Sequence, residues 1–382
     1  MFNRRQFLGY SLGITGSMFL GPRMTLASVD TDRRFVFIIQ RGAADGLNTV
    51  VPYADPSYST LRGAIAIDPA ESLKLDGMFA LHPALTRTAE FYGEGEALFV
   101  HAVASPYRNR SHFDGQNVLE TGGTKPNQLR DGWLNRLLPL LPQSKEEAIA
   151  FAPVLPLALR GTVAVNTYSP SKLPEPTEEL LMRVAAMYDR DAQLHALWAE
   201  ALEVREVAVA IEEREEAANL GTMAAGFLTT ESGPRIAMIE TSGWDTHAGQ
   251  KGRLKNQLTK LDALFGSLRD GLGDVWSKTT VLVATEFGRT AAVNGSGGTD
   301  HGTASAAMVL GGSVSGGRVV ADWPGLKPAA LYEGRDLTPT LDLNVLIAKA
   351  TAEGLGLDPE LTMRTLFPQQ VFDKSLPVLV SA

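Results

Sequence analysis

The chain has 382 residues, 44% of them hydrophobic and 20% charged, with 35 basic against 43 acidic side chains and a net charge of −8. This composition supports a sizeable core in one large domain or two to three ordinary ones. The acidic balance and the lack of any basic stripe disfavour a polyanion such as DNA, and no nucleic acid is expected as a partner. Cysteine is absent, which rules out disulfides, thiolate metal sites and cysteine nucleophiles and limits any cofactor to oxygen and nitrogen ligands.

The first element is Asn3-Arg4-Arg5-Gln6-Phe7-Leu8, a weakly apolar run from Gly9 to Leu20, and small residues Thr25 and Ala27 at an A-x-A-like position. Together these predict a twin-arginine export signal over residues 1–27, with an ordinary Sec signal or uncleaved anchor as the alternative. The apolar run is too short and too rich in Gly and Ser for a membrane span, so the mature form is expected to have none. Its removal takes three arginines and no acid from the chain, leaving a charge of −11. The expected location is periplasmic or secreted, with the twin-arginine translocase as export partner.

Five apolar, β-branched runs follow, at 33–40 (RRFVFIIQ), 97–103 (ALFVHAV), 235–240 (RIAMIE), 279–290 (TTVLVATEFGRT) and 304–312 (ASAAMVLGG). Such runs read as strands buried on both faces. Helical patterns lie between them, as in 256–272, where Leu258, Leu261, Leu264, Phe265 and Leu268 recur at helical spacing. Strands alternating with helices predict an α/β domain over 28–382, with a mostly parallel sheet and helices on both faces. Residues 174–228 are rich in Glu, Ala and Leu after two prolines, and are expected to form a helical insertion or cap.

Ligands of such sheets bind beyond the C-terminal ends of the strands, where every polar cluster of this chain is expected to fall. Asp245 and His247 follow the third run, and Gly243 could permit the bend that turns both into the crevice; both residue types bind Zn²⁺, and an Asx turn is the alternative. Asp300 and His301 sit in a glycine-rich loop, GGTDHGT, which is either a ligand cradle or a flexible surface loop. Glu286 ends the fourth strand, and its alternative role is an ion pair with Arg289 that orders the loop. Asp45 stands in an Asp-Gly turn after the first strand, with Asn48 in the same turn. Arg110, Ser111 and His112 precede a helical stretch. Ser111 is either its N-cap or a hydroxyl presented with His112 at a helix N-terminus that favours anions, with Arg110 as counter-ion. His82, His101 and His195 are expected to be structural. A Ser111–His247–Asp245 triad is disfavoured, because a carboxylate two residues from the imidazole cannot easily orient it.

The motifs RGAADGLNTVVPY, RSHFDGQNVLETG, GWDTH, EFGRT and GGTDHG, in this order behind the signal, resemble the domain-of-unknown-function 1501 family. That family is grouped with the alkaline phosphatase-like and sulfatase-like superfamily, and the resemblance spans nearly the whole mature chain. It implies an alkaline phosphatase-like sandwich fold and a divalent metal. By this likeness Asp245, His247 and His301 hold Zn²⁺. Asp45 and Glu286, with His112 in support, form a second site for Mg²⁺ or Ca²⁺; Phe287 stands where the superfamily places a histidine ligand of that site.

Two functions are therefore expected. One is an exported metal-dependent hydrolase of small anionic phosphate or sulfate esters. In it Ser111, His112 and Arg110 act in catalysis, and Asn48, Arg289 and Asp300 contact substrate. The other is a catalytically degenerate relative that binds a ligand or assists envelope assembly, motivated by Phe287.

Overall fold

The computed structural model describes residues 32–141, 148–169, 216–371 and 376–381, together with Met187, Tyr188 and Leu194. The expected signal at 1–27 lies outside the described residues. So does the expected insertion, apart from those three residues and its last part, which is helical.

Strand β1 (Arg34–Gln40) is buried along its whole length and forms the centre of a nine-stranded sheet. It pairs in parallel with β8 (Ile236–Thr241) on one side and β9 (Thr279–Ala284) on the other. Beyond β8 lie β6 (Ala148–Phe151) and β7 (Asn166–Tyr168), both parallel to it. Beyond β9 lies β10 (Ser305–Leu310), then β5 (Ala97–Ala104), which pairs with β11 (Arg318–Val320) and β12 (Leu341–Asp342). All five expected strands are present. Strand β10 alone is antiparallel to both neighbours.

The alternation of side chains along β1 feeds two cores. Phe35, Phe37 and Ile39 point to one layer, where Phe37 meets Trp133 edge-on at 5.0 Å between ring centres. That layer is closed by α8 (Leu343–Leu355), buried on nearly all sides, and by α9 (Pro359–Leu366). Val36 and Ile38 point to the other layer, against α7 (Gln250–Leu272). The apolar stripe expected in α7 is the face that is buried: Leu258, Leu261, Leu264, Phe265 and Leu268 are each at most 2% exposed. Helix α6 (Glu216–Thr229) packs alongside it. The helices therefore cover both faces of the mostly parallel sheet, as expected.

His101, in the middle of β5, is fully buried, and both ring nitrogens are spoken for: Nε2 donates to the Val50 carbonyl at 2.9 Å, and Nδ1 accepts the Ala102 N–H at 2.8 Å. A second ring proton would face that N–H, and burial holds the imidazole neutral, down to about 4 from an ordinary 6.5. With the folded value below the unfolded one, the unfolded chain takes up the extra proton first, so stability falls as pH drops from 6.5 towards 4. Over that window the wild type is expected to lose about 3 kcal/mol that a His101→Gln chain does not lose, as read from urea denaturation at both pH values. Equal losses in the two proteins would exclude the effect.

Candidate metal centre

Four connections at one edge of the sheet carry the polar clusters. After β8, Gly243 adopts φ +89° and reverses the chain, so that Asp245 and His247 face the same space. The His247 Nε2 lies 3.0 Å from Asp245 Oδ1. After β1, Gly42 holds φ +118°, and a Cβ there would meet the Asp245 backbone nitrogen at 2.8 Å, so only glycine lets these two strand ends approach. Helix α4 (His112–Thr121) opens with His112, whose Nε2 is 3.5 Å from Asp245 Oδ2. The fourth connection, between β9 and β10, supplies Glu286, Arg289, Asp300 and His301. Asp300 and His301 precede their strand rather than follow it, a departure from the expected placement. They reach the same edge because β10 runs against its neighbours, so its beginning lies where the other strands end. An isolated bridge between Arg289 and His301 closes the loop.

Three imidazoles meet one carboxylate here. His301 Nε2 lies 3.3 Å from Asp245 Oδ1 and 3.0 Å from His247 Nε2. Each ring is held from behind through Nδ1. His112 donates to Glu286 Oε1 at 2.8 Å, His247 to Asp300 Oδ1 at 3.1 Å, and His301 to the Arg110 carbonyl at 2.9 Å. With Nδ1 protonated in each neutral ring, all three Nε2 atoms turn lone pairs inward. His112 Nε2 is buried and has no hydrogen-bond partner.

Lone pairs from three nitrogens and a carboxylate cannot bond to one another; they require protons or a cation between them. Ligands about 2.05 Å from a tetrahedral ion stand about 3.4 Å apart, close to the separations found here. His112, Asp245 and His301 form a group whose ligand atoms all lie within 4.8 Å of one another. An acceptor behind each imidazole is the usual support of a metal-binding histidine. The residues therefore fit a divalent cation held by nitrogen and oxygen.

Electrostatics agree with this at both carboxylates and at His301, whereas the hydrogen bond to Glu286 raises His112 and favours its protonated form, so a cation at Nε2 would have to displace that proton. Burial alone would push the Glu286 carboxyl up, but its hydrogen bonds from His112, Gln116 and the Gly42 N–H hold it below the ordinary range. Asp245 is likewise lowered, burial being outweighed by the Arg289 guanidinium 2.6 Å away. His301 is pushed down by burial and by the nearby His112, which favours the neutral, ligating form.

The expected residues divide into those brought together and those kept apart. His112, expected beside a second site, joins Asp245 and His301. Glu286, expected as a ligand, accepts the His112 Nδ1–H. Asp300, expected to contact substrate, orients His247. Arg289 pairs with Asp245, not with Glu286, and is 1% exposed. Arg110, expected to face an anion, donates to Asp336 at 2.9 Å and Glu333 at 2.5 Å, while its carbonyl holds His301. Asp45, expected as a metal ligand, is 1% exposed and bound by both terminal nitrogens of Arg62 at 2.6 and 2.9 Å. Asn48, expected at the substrate, is buried between the Ile65 carbonyl and the Tyr58 hydroxyl. Ser111 occupies the N-cap position of α4, yet its side chain makes no capping hydrogen bond.

Three contributors escaped the sequence reading. Arg62 neutralises Asp45 from seventeen residues away. Gln250 donates to Asp45 and accepts from Thr246 and Thr299. Thr299 in turn accepts from Arg289 Nε at 3.2 Å. None carries a local motif, since long-range pairing between unlike elements leaves no periodic trace. Phe287 is 3% exposed and stacks on the His112 ring at 5.1 Å, forming the wall behind the imidazoles.

Residues 32–366 match a sequence family described as "Protein of unknown function (DUF1501)". The chain belongs to this family. No curated protein matches this DUF1501 chain. Solved structures similar to it include the C-terminal periplasmic domain of EcEptC from Escherichia coli in complex with Zn, at 10% identity and TM-score 0.39 over 75% of this chain and 74% of that one. Another is a protein in the alkaline phosphatase superfamily from Vibrio parahaemolyticus, at 10% identity and TM-score 0.41 over 85% and 72%. A third is alkaline phosphatase from the Antarctic bacterium TAB5, at 10% identity and TM-score 0.34 over 76% and 95%.

Proposed function

We propose that this DUF1501 protein is an exported, metal-dependent hydrolase of phosphate or sulfate esters. The observation that carries the reading is the convergence of three Nε2 lone pairs on Asp245, each ring being fixed from behind by an acceptor. His112, Asp245, His247 and His301 would hold the cation, with Zn²⁺ favoured by the nitrogen-rich donor set. When bound, it supplies Lewis-acid polarisation of the ester group.

The chain's own residues supply orientation and an attacking group. Helix α4 begins at the site, and the positive end of its dipole favours an anionic ester. Ser111 immediately precedes the ligand His112, and its hydroxyl, free of capping, serves as the nucleophile. Glu286 and Asp300 keep His112 and His247 in the ligating tautomer. Arg289 fixes Asp245 and places a positive charge beside the reacting group.

Export rests on the N-terminal motif. Among the described residues no helix is long and apolar enough to cross a membrane. Residues 174–228 are proposed to form an insertion within the single α/β domain.

The test is elemental analysis of the purified protein combined with a panel of chromogenic phosphate and sulfate esters, before and after chelation. Bound metal is expected, with turnover that disappears on chelation and returns on adding Zn²⁺. In Ser111→Ala turnover is expected to fall by about 10²-fold or more while metal is retained. A metal-free protein inert on every ester would exclude the reading.

A further inference from the structure

We propose that the centre takes one divalent cation, not two, because fixed guanidinium groups already supply the charge that a second cation would bring. This deepens the hydrolase reading and rests on it. Around the convergent atoms stand three carboxylates, Asp245, Asp300 and Glu286, and one guanidinium, Arg289. With neutral imidazoles, a single dication balances the two negative charges that remain.

The carboxylates from which a second site would be built are spent. Asp45 takes two bonds from Arg62, one from Gln250 and one from the Asn48 N–H at 3.2 Å; Arg62 is 0% exposed. A cation at Asp45 would have to expel a buried guanidinium that, among the described residues, pairs with no other carboxylate. Glu286 is engaged mainly through Oε1, which accepts from His112, from the Gly42 N–H at 2.9 Å and from Gln116 at 3.1 Å; Oε2 lies 3.0 Å from the Thr285 hydroxyl, whose single proton it shares with the Gln40 carbonyl at 2.8 Å. Among the described residues, His112, Asp245 and His301 are the only group of three or more ligand side chains able to surround an ion.

The two guanidiniums are joined by a buried relay. Gln250 binds Asp45 through Nε2 and Thr299 through Oε1 at 2.6 Å; Thr299 receives Arg289, and Arg289 donates to Asp245. Arg62 thus locks Asp45, and Asp45 through Gln250 and Thr299 helps fix the guanidinium that takes the second cation's place beside the site. Gln250 and Thr299 are positioning residues in this arrangement.

The measurement is metal stoichiometry. The full chain is stripped with chelator and titrated with Zn²⁺ by calorimetry, and the metal-to-protein ratio is read by elemental analysis after gel filtration. One equivalent per chain is expected. Two equivalents would overturn the single-cation centre and leave the hydrolase reading standing, whereas none would overturn both. His301→Ala locates the site: its ratio is expected to fall from one to zero, and a ratio that stays at one overturns the assignment. If circular dichroism shows that variant to be unfolded, His301→Gln is used in its place with the same two outcomes. Gln250→Ala, which breaks the relay that steadies Arg289 beside Asp245, is expected to keep one equivalent but to bind Zn²⁺ more weakly in the same titration; an affinity equal to that of wild type would overturn its positioning role.

Discussion

A His301→Ala protein is expected to lose its metal and, with it, about 10³-fold or more of its turnover on the best ester, while its melting curve shows a native fold. The reason is the position of Nε2, which is the ring atom nearest both Asp245 and His247 and the hinge of the inward-facing set. Nothing else on the loop can replace it: Asp300 points at His247, and Arg289 carries a positive charge. A graded comparison separates ligand from support. Asp300→Ala removes only the acceptor behind His247, so metal affinity is expected to weaken by about 10- to 100-fold without vanishing. Competition against a chromophoric chelator measures both. If His301→Ala binds metal as tightly as wild type, the three-histidine centre is wrong.

Asp45→Ala is expected to act in the opposite way, on the fold and not on the metal. It strands the Arg62 guanidinium, which is 0% exposed and has lost the carboxylate that took two of its N–H groups. Removing one partner of a buried pair costs about 3–5 kcal/mol, because the remaining charge is left in a medium that solvates it poorly. Urea denaturation is expected to show the unfolding free energy falling by that amount, with the metal content of the folded protein unchanged. A loss below about 1 kcal/mol would show that water or a neighbour rescues Arg62 and that the pair is not a structural anchor. Were Asp45 a ligand, the same substitution would empty the site and leave stability nearly intact.

These two residues show where the sequence was legible. Asp45 and His301 both sit in glycine-flanked turns next to buried strands, and both carry a ligand-type side chain. The local pattern is the same and the surroundings differ. What separates them is Arg62, brought beside Asp45 by a short helix whose residues 58–62 (YSTLR) give no sign of the pairing. The resemblance that joined Asp45 to a metal site described its place after the first strand, not the charge facing it.

His112 illustrates the converse. Its position at the start of a helix was readable, but its partners were not: it meets Asp245 from 133 positions further along the chain and Glu286 from 174. Phe287, which reads as a missing ligand, is the wall against which His112 stacks. Arg110 is a third case. Its side chain was expected at an anion, yet Asp336 and Glu333 hold it, and its backbone carbonyl is the part that serves the site.

The sequence alone determined the alternation of buried strands and helices, the apolar stripe of α7 and the absence of thiol chemistry, all of which follow from composition or periodicity. The grouping of Asp245, His247 and His301 as ligand candidates came from the family resemblance, since His301 stands 54 positions beyond His247. Only the tertiary structure decided which way β10 runs, and hence that Asp300 and His301 reach the same edge as Asp245. It also decided that Arg62 neutralises Asp45 and that Glu286 serves His112. Charges in a poorly solvating interior must be matched across space, and the partner that matches them can come from any part of the chain.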